Sequence, residues 1–143
     1  MKVALGQMAV SKDSQEILSA CLGLIDQALR SGAQLLVLPE GVLARNVADP
    51  EVVLKSAQAL DGEFVSRLSA ATRDTDLTVV FCIHTPAGEG KVWNTLVVLR
   101  DGQVLALHGC GHYHETYRRL DGRWQIQTSR ITRLYVSLGE NPD

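Results

Sequence analysis

Three histidines and a cysteine fall within the twelve residues of ALHGCGHYHETY, at 106–117. Cys110 is flanked by glycines and could be a nucleophile, if a nearby imidazolium favoured its thiolate. His112 and His114 are two residues apart on a predicted strand, so both would lie on one face. With Cys110 or His108 they could supply three metal ligands. Because no fourth ligand follows, the pattern favours an exposed strand face, and we predict no metal site.

Glu40 is the second residue whose position suggests chemistry. It directly follows the apolar run LLVLP, and Pro39 holds Leu38 extended, so the run reads as a strand to its end. Ligands of parallel α/β sheets bind beyond the carboxyl ends of the strands. A carboxylate placed there could act as a general base. The alternative is an ordinary loop or capping carboxylate, and position alone leaves both open.

The other two cysteines have a different pattern. Cys21 lies on the apolar side of a predicted helix, and Cys82 lies inside the buried-strand pattern VVFCIH, so both are expected in the core. Three widely spaced cysteines do not form a disulfide framework. They fit a reducing compartment, and we expect the cytoplasm.

Composition excludes several classes of partner. The chain has 143 residues, of which 45% are hydrophobic and 21% charged, which is enough to bury a core. A net charge of -2 gives no reason to expect a nucleic-acid partner. No apolar run is long enough to span a membrane, and the N-terminus lacks the apolar region of a signal peptide. We expect no cofactor.

The elements that would position these residues follow an α/β pattern up to about residue 108. The strand, helix and buried strand at the start form a βαβ unit, whose strands should be parallel with a right-handed crossover. The predicted elements are a strand over 2–9, a helix from the caps at 11–14 to 31–33, a strand over 34–40, helices over 51–59 and 62–74, and strands over 77–84, 91–100 and 103–108.

Turns divide the second half of the chain. We predict a loop over 85–90, a two-residue hairpin turn at Asp101-Gly102, and a second hairpin over 112–136 around Asp121-Gly122. The expected fold class is therefore α/β with a mixed sheet, closed by an antiparallel β-hairpin. The predicted core comprises Val3, Leu5, Ile17, Leu24, Ile25, Leu36, Val37, Leu38, Leu68, Val79, Val80, Phe81, Ile83, Leu96 and Val98.

Several of these segments resemble the N-terminal half of the nitrilase superfamily, the carbon–nitrogen hydrolases. They are VALGQMAV, ILSACLGLIDQALRSGAQLLVLPEG, SAQALDGEFVSRLSAATRDTDLTVVFCI and KVWNTLVVLRDGQVLALH, which includes an aromatic–Asn pair at Trp93-Asn94. The nearest group is that of small amidases such as those acting on deaminated glutathione. The resemblance covers residues 1–108 and implies one half of a nitrilase-type α/β sandwich.

The resemblance also implies a Glu-Lys-Cys mechanism, in which Glu takes the thiol proton, the thiolate attacks the amide or nitrile carbon, and the Lys ammonium stabilises the oxyanion. Glu40 in LPEG matches the Glu motif, which makes it the general base. At the expected place of the Lys-x-His-Leu motif, Cys110 stands where Lys would be and His112 where the motif His would be. A neutral thiol does not supply the charge of Lys.

The tail, 109–143, resembles the last hairpin of SnoaL-like domains, which are cone-shaped α+β barrels. Asp121, Gly122, Trp124 and Ile126 in LDGRWQI carry this likeness. The histidine-rich segment then reads as a seam between two kinds of sequence. We therefore predict two parts, 1–108 and 109–143, in a truncated or chimeric chain. A natural fusion, an engineered recombinant and an assembly artefact remain open.

The functional expectation is an amidase-related chain with a small amide as substrate. It should be inactive by itself, because the Lys of the family motif and the segment that carries the nucleophilic cysteine are not found in it. One alternative is a non-catalytic, self-associating or binding module, since half a sandwich leaves apolar surface uncovered and a homo-oligomer would bury it. Another is a SnoaL-like protein that binds a small hydrophobic ligand.

Overall fold

A single mixed sheet of six strands runs through the computed structural model, with the strands in the same order as in the chain. The structure describes residues 1–9, 11–44, 51–120 and 122–138, and beyond Val104 it describes few side chains. The strands are β1 (Val3–Leu5), β2 (Leu35–Val37), β3 (Thr78–Gly88), β4 (Lys91–Arg100), β5 (Gln103–Leu120) and β6 (Arg123–Leu138). The helices are α1 (Ser14–Arg30), α2 (Val52–Lys55) and α3 (Glu63–Ala70).

The start of the chain is the predicted βαβ unit. β1 pairs with β2 and β2 with β3, both in parallel. Helix α1 begins at the N-cap Asp13, whose carboxylate accepts a hydrogen bond from the Gln15 backbone N–H at 2.8 Å. It ends before Gly32, where a φ of 70° suits glycine. Strand β1 is shorter than the strand predicted over 2–9.

Both longer helices cover the same face of the sheet. Helix α3 buries Phe64, Val65 and Leu68, and the Phe64 ring meets Phe81 of β3 edge to face, with the ring centroids 6.0 Å apart. Helix α3 stops at Ala70, short of the predicted 74. The helix predicted over 51–59 is a single turn, α2.

The opposite face of the sheet has no helix over it in the described part of the chain. Val3, Leu5 and Leu96 are therefore exposed, at 46%, 78% and 37%, and their prediction as core residues is wrong. The strands whose apolar pattern suggested burial on both faces are buried on one face. Leu24, Val37, Val80 and Val98 are only partly buried. The remaining predicted core residues are buried: Ile17, Ile25, Leu36, Leu38, Leu68, Val79, Phe81 and Ile83.

Two tight turns and a register shift between Pro86 and Gly88 set the register of β3, β4 and β5. The loop predicted over 85–90 is wrong in extent, because β3 continues to Gly88 and only Glu89-Gly90 turns. Both turn residues have positive φ, 50° and 69°, and Asp101-Gly102 has the same pair of values. Positive φ at both positions is the type I′ geometry that fits the twist of a hairpin. The turn predicted at Asp101-Gly102 is thus present.

Strand β5 runs without a break through the segment that contains Cys110. It pairs with β4 as far as Gly109 and with β6 from Leu107 onward, with a register shift between Cys110 and Gly111. The second hairpin thus extends the sheet. The domain boundary predicted between 108 and 109 falls inside this strand, and the boundary itself stays a prediction.

Within the residues described, no helix is both long enough and apolar enough to cross a membrane.

Candidate active site

Glu40 lies just past the carboxyl end of β2, as predicted, and its side chain is exposed. The chain here continues alongside β3, because the Leu38 N–H donates to the Val80 carbonyl at 2.8 Å and the Val42 N–H donates to the Cys82 carbonyl at 2.9 Å. These two backbone bonds bracket Glu40. They hold its backbone next to the outer half of β3, beyond the last parallel pairing of β2.

Asn94 on β4 contacts the Glu40 carboxylate directly. Its side-chain Nδ2 donates a hydrogen bond to Glu40 Oε1 at 3.2 Å. Asn94 reaches this place because the Glu89-Gly90 turn, together with the register shift between Pro86 and Gly88, fixes its pairing with His84 across the hairpin. The site is therefore made by two separate parts of the chain, the end of β2 and the β3–β4 hairpin.

Cys82 forms a hydrogen bond with the other end of the same Asn94 amide. Its Sγ donates to Asn94 Oδ1 at 2.6 Å, and its side chain is buried. Burial raises the pKa of the Cys82 thiol, a hydrogen bond from the Gly41 backbone lowers it, and the charge of Glu40 raises it again, with a raised pKa as the net result. Cys82 is thus a neutral thiol that donates a proton to a hydrogen bond, and it lacks the thiolate character of a nucleophile.

His84 completes the group. Its ring packs against Gly41, since a Cβ added at Gly41 would lie 3.7 Å from His84 Cε1. Its Nδ1 is buried and has no hydrogen-bond partner among the described residues. Burial lowers the pKa of His84, and the charge of Glu40 acts in the opposite direction, with a lowered pKa as the net result. A neutral imidazole beside Glu40 follows.

The sequence predicted Glu40 in this group and missed the other three. Cys82 was expected only as a core residue, and Asn94 only as part of a family pattern. The signal was the period of two along β3: if Phe81 and Ile83 face the helices, Cys82 and His84 face the other side, where the end of β2 passes. The hairpin register then adds Asn94.

For Cys110 and His112 the structure gives only the backbone pairing relative to this site. Gly109 pairs with Asn94, so the backbone of Cys110 comes one residue after the position opposite the site. The side chains of Cys110, His112, His114 and His108 lie outside the described residues, and their proposed roles stay predictions. Among the residues that are described, no group of His, Cys, Asp or Glu is arranged to hold a metal ion.

No ammonium or guanidinium pairs with Glu40 in the described part of the chain. The ion pairs seen there are local and exposed, and they join Arg30 to Asp26, Lys55 to Glu51, Arg67 to Glu63 and Lys91 to Glu89. Of the three side-chain types in the implied Glu-Lys-Cys mechanism, the described residues thus bring to the site the carboxylate of Glu40 and the neutral thiol of Cys82, and no ammonium.

A cavity of about 340 Å³ lies elsewhere, near the start of α1. Lys12, Leu43, Lys55 and Gln58 are among its lining residues, and Glu40 is not. The cavity is therefore separate from the Glu40 group.

Comparison with known proteins gives a consistent family match. The model of the carbon–nitrogen hydrolase family matches residues 2–135, which extends past the predicted boundary at 108. The chain is 36% identical over 131 residues to the deaminated glutathione amidase of Escherichia coli O157:H7, covering 88% of this chain and 50% of that protein. It is 29% identical over 108 residues to the omega-amidase of Bos taurus, covering 75% and 38%. The chain thus spans half or less of the length of these curated relatives.

Solved structures agree on the fold. A cysteine-to-alanine mutant of the Nesterenkonia AN1 amidase, from the nitrilase superfamily, superposes with a TM-score of 0.61 at 25% identity. The superposition covers 88% of this chain and 54% of that chain. The partial nitrilase-type α/β fold expected from the sequence is confirmed, whereas the SnoaL-like resemblance of the tail stays a prediction.

The site makes a prediction about thiol reactivity. At neutral pH, iodoacetamide should label Cys82 slowly in the folded chain, and Glu40→Gln should speed that labelling by about twofold to tenfold, because removal of the charge lowers the thiol pKa. Peptide mapping by mass spectrometry reads each cysteine separately. Cys21, whose pKa burial raises to about 12, should stay unlabelled in both proteins.

Glu63→Gln is the matched control, because Glu63 is exposed on α3. An unchanged Cys82 rate in Glu40→Gln, or a change of equal size in Glu63→Gln, would contradict the electrostatic link.

Proposed function

The chain belongs to the carbon–nitrogen hydrolase family, and from this membership we propose that it carries the general-base half of an amidase. Glu40 is the base, and the substrate class is a small amide. The observation that carries the proposal is the position of an exposed carboxylate beyond the parallel strand β2, held by a hydrogen bond from Asn94.

The chemistry assigned to Glu40 is proton transfer. Its carboxylate takes the proton of a thiol nucleophile, and the thiolate attacks the amide carbon to form a tetrahedral intermediate. A cation stabilises the oxyanion of that intermediate. The protonated carboxyl then returns its proton to the leaving amine, which departs as the acyl-thioester forms, and water later hydrolyses the thioester with the carboxylate again as base.

Relatives support both the substrate class and the residue type. The two curated relatives are named as amidases, one for deaminated glutathione and one as an omega-amidase. A glutamate-to-glutamine mutant of the Nesterenkonia amidase is described with acrylamide added at its active-site cysteine. By analogy, a cysteine sulfur is the nucleophile that works with Glu40; in that adduct the sulfur has added to the alkene of acrylamide and not to its amide carbon.

We further propose that the 143-residue polypeptide, taken alone, does not turn over amides. Cys82 is the described sulfur nearest to Glu40, and its raised pKa and its bond to Asn94 make it a poor nucleophile. No described cation is paired with Glu40. A missing oxyanion-stabilising group costs about 10²–10³-fold in rate, and a missing nucleophile costs more.

The free buried thiols of Cys21 and Cys82 favour a reducing compartment such as the cytoplasm.

A fusion protein tests the general-base role directly. Residues 1–104 of this chain replace the corresponding half of the E. coli deaminated glutathione amidase, and hydrolysis of deaminated glutathione is measured. We expect the fusion to be active and Glu40→Gln in it to lose about 10²–10⁴-fold in kcat, the range for general-base catalysis. The unfused 143-residue chain should show no turnover.

The matched control in the fusion is Glu63→Gln, which should keep full activity. A folded fusion that is inactive, or one that Glu40→Gln leaves active, would refute the general-base role. Ordinary turnover by the unfused chain would refute its inactivity.

A second candidate function is a self-associating module, and one observation favours it. Leu5, Val37, Val80 and Val98 are direct cross-strand neighbours, so they form an apolar row across four strands on the face without helices. Such a face is normally buried, and two sheets can pack face to face. A homodimer through this row would bury it in both copies.

The SnoaL-like alternative gains nothing from the described fold, because the β1–α1–β2 start belongs to a different architecture.

Sedimentation velocity at micromolar concentration tests self-association. We expect a dimer, and Leu96→Lys should shift it to monomer, because an ammonium in this apolar face cannot be desolvated cheaply. Leu54→Lys is the control, since Leu54 is 49% exposed on α2 and is not part of the apolar row, so this change should leave the dimer intact. A wild-type monomer that binds no apolar dye would exclude this function.

A further inference from the structure

We propose that Asn94 is a positioning residue for Glu40 and that the Cys82 thiol locks the orientation of the Asn94 side chain. The mechanistic meaning of this inference rests on the proposed role of Glu40. The interaction itself does not, and it can be measured without any turnover.

The chemistry of the two bonds fixes the direction of each. A carboxylate only accepts hydrogen bonds, so the Asn94 group facing Glu40 Oε1 must be the donor Nδ2. The other end of the amide, Oδ1, only accepts, and a protonated thiol is a donor. Cys82 therefore donates to Oδ1, and the chain of donors runs from Cys82 through Asn94 to Glu40.

An asparagine amide whose two ends have no hydrogen-bond partners has two nearly equivalent orientations. If the Asn94 amide turned by 180°, Oδ1 would face Glu40 Oε1, and two acceptors at hydrogen-bond distance repel each other. Nδ2 would face the Cys82 sulfur, which is a weak acceptor. The buried thiol thus adds to the preference for one orientation that the Glu40 carboxylate already sets. It can do so because burial keeps the thiol protonated, the largest cause of its raised pKa.

Backbone pairing gives this arrangement its rigidity. Cys82 and Asn94 lie on neighbouring strands, Cys82 in the pair Cys82–Leu96 and Asn94 in the pair His84–Asn94, two pairs along the antiparallel β3–β4 ladder. Thr85 and Thr95, next to the site in sequence, are buried and share a hydrogen bond of 2.7 Å on the helix side of the same ladder. The strand that carries Asn94 is therefore fixed on both faces, and the carboxylate of Glu40 is aimed by a fixed donor.

For the proposed reaction, it follows that the two carboxylate oxygens of Glu40 have different roles. Oε1 is engaged by Asn94, and no hydrogen bond to Oε2 is found among the described residues. Oε2 is then the atom that takes the proton from the nucleophile. A carboxylate free to rotate would offer this oxygen in the correct direction only part of the time.

Nuclear magnetic resonance of the ¹⁵N-labelled 143-residue chain tests the lock. The two Asn94 side-chain amide protons, assigned by their loss in Asn94→Leu, should be widely separated, with the one facing Glu40 shifted downfield. In Cys82→Ser, whose hydroxyl also donates to Oδ1, the pair should keep its separation. In Cys82→Ala the separation should narrow, because only the Glu40 carboxylate then opposes the turn of the amide.

Glu40→Gln should move the downfield proton upfield, because the acceptor loses its charge, while Glu63→Gln should leave it in place. Backbone amide spectra of α1 and α3 report whether each variant is folded. An Asn94 pair that is the same in wild type and in folded Cys82→Ala would overturn the lock, and so would a pair that Glu40→Gln leaves unmoved. Either result would leave the fusion assay of the Glu40 role unaffected, so failure of the two proposals can be told apart.

Discussion

The pairing of His84 with Asn94 across the β3–β4 hairpin is the constraint on which the site depends. The Glu89-Gly90 turn, with both residues at positive φ, and the register shift between Pro86 and Gly88 together set this register. A register slip of one residue would turn Asn94 to the helix face and remove the donor from Glu40. The turn and the register shift next to it therefore determine, at a distance of several residues, which side chain contacts the carboxylate.

The sheet serves two purposes because its faces differ. Its helix-covered face supplies stability because α1, α3 and the odd-numbered side chains of β3 belong to one buried cluster. Its other face carries the polar group around Glu40 at one end and the apolar row around Val80 beside it. A polar site next to an apolar surface is the arrangement expected where a second layer covers the sheet and helps to enclose the site.

Much of the fold and one residue of the site could be predicted from the sequence. The βαβ start, the Asp101-Gly102 turn and the position of Glu40 follow from local patterns that tertiary contacts did not override. The exposure of Leu5 could not be predicted, because a continuous apolar run reads alike whether one face or both are covered. The role of Cys82 was missed for a related reason. Burial is visible in a strand pattern, but a hydrogen-bond partner on a neighbouring strand depends on the register, which the turn and the register shift at Pro86–Gly88 decide together.

A double-mutant cycle between Glu40 and Asn94 tests the central claim, that the β3–β4 hairpin holds the carboxylate. Urea unfolding is measured for the wild type, Glu40→Ala, Asn94→Ala and the double variant of the 143-residue chain. We expect a favourable coupling of about 0.5–1.5 kcal/mol, the net value of one hydrogen bond at an exposed site. A coupling of zero within error would contradict the claim, because the two side chains would then contribute independently.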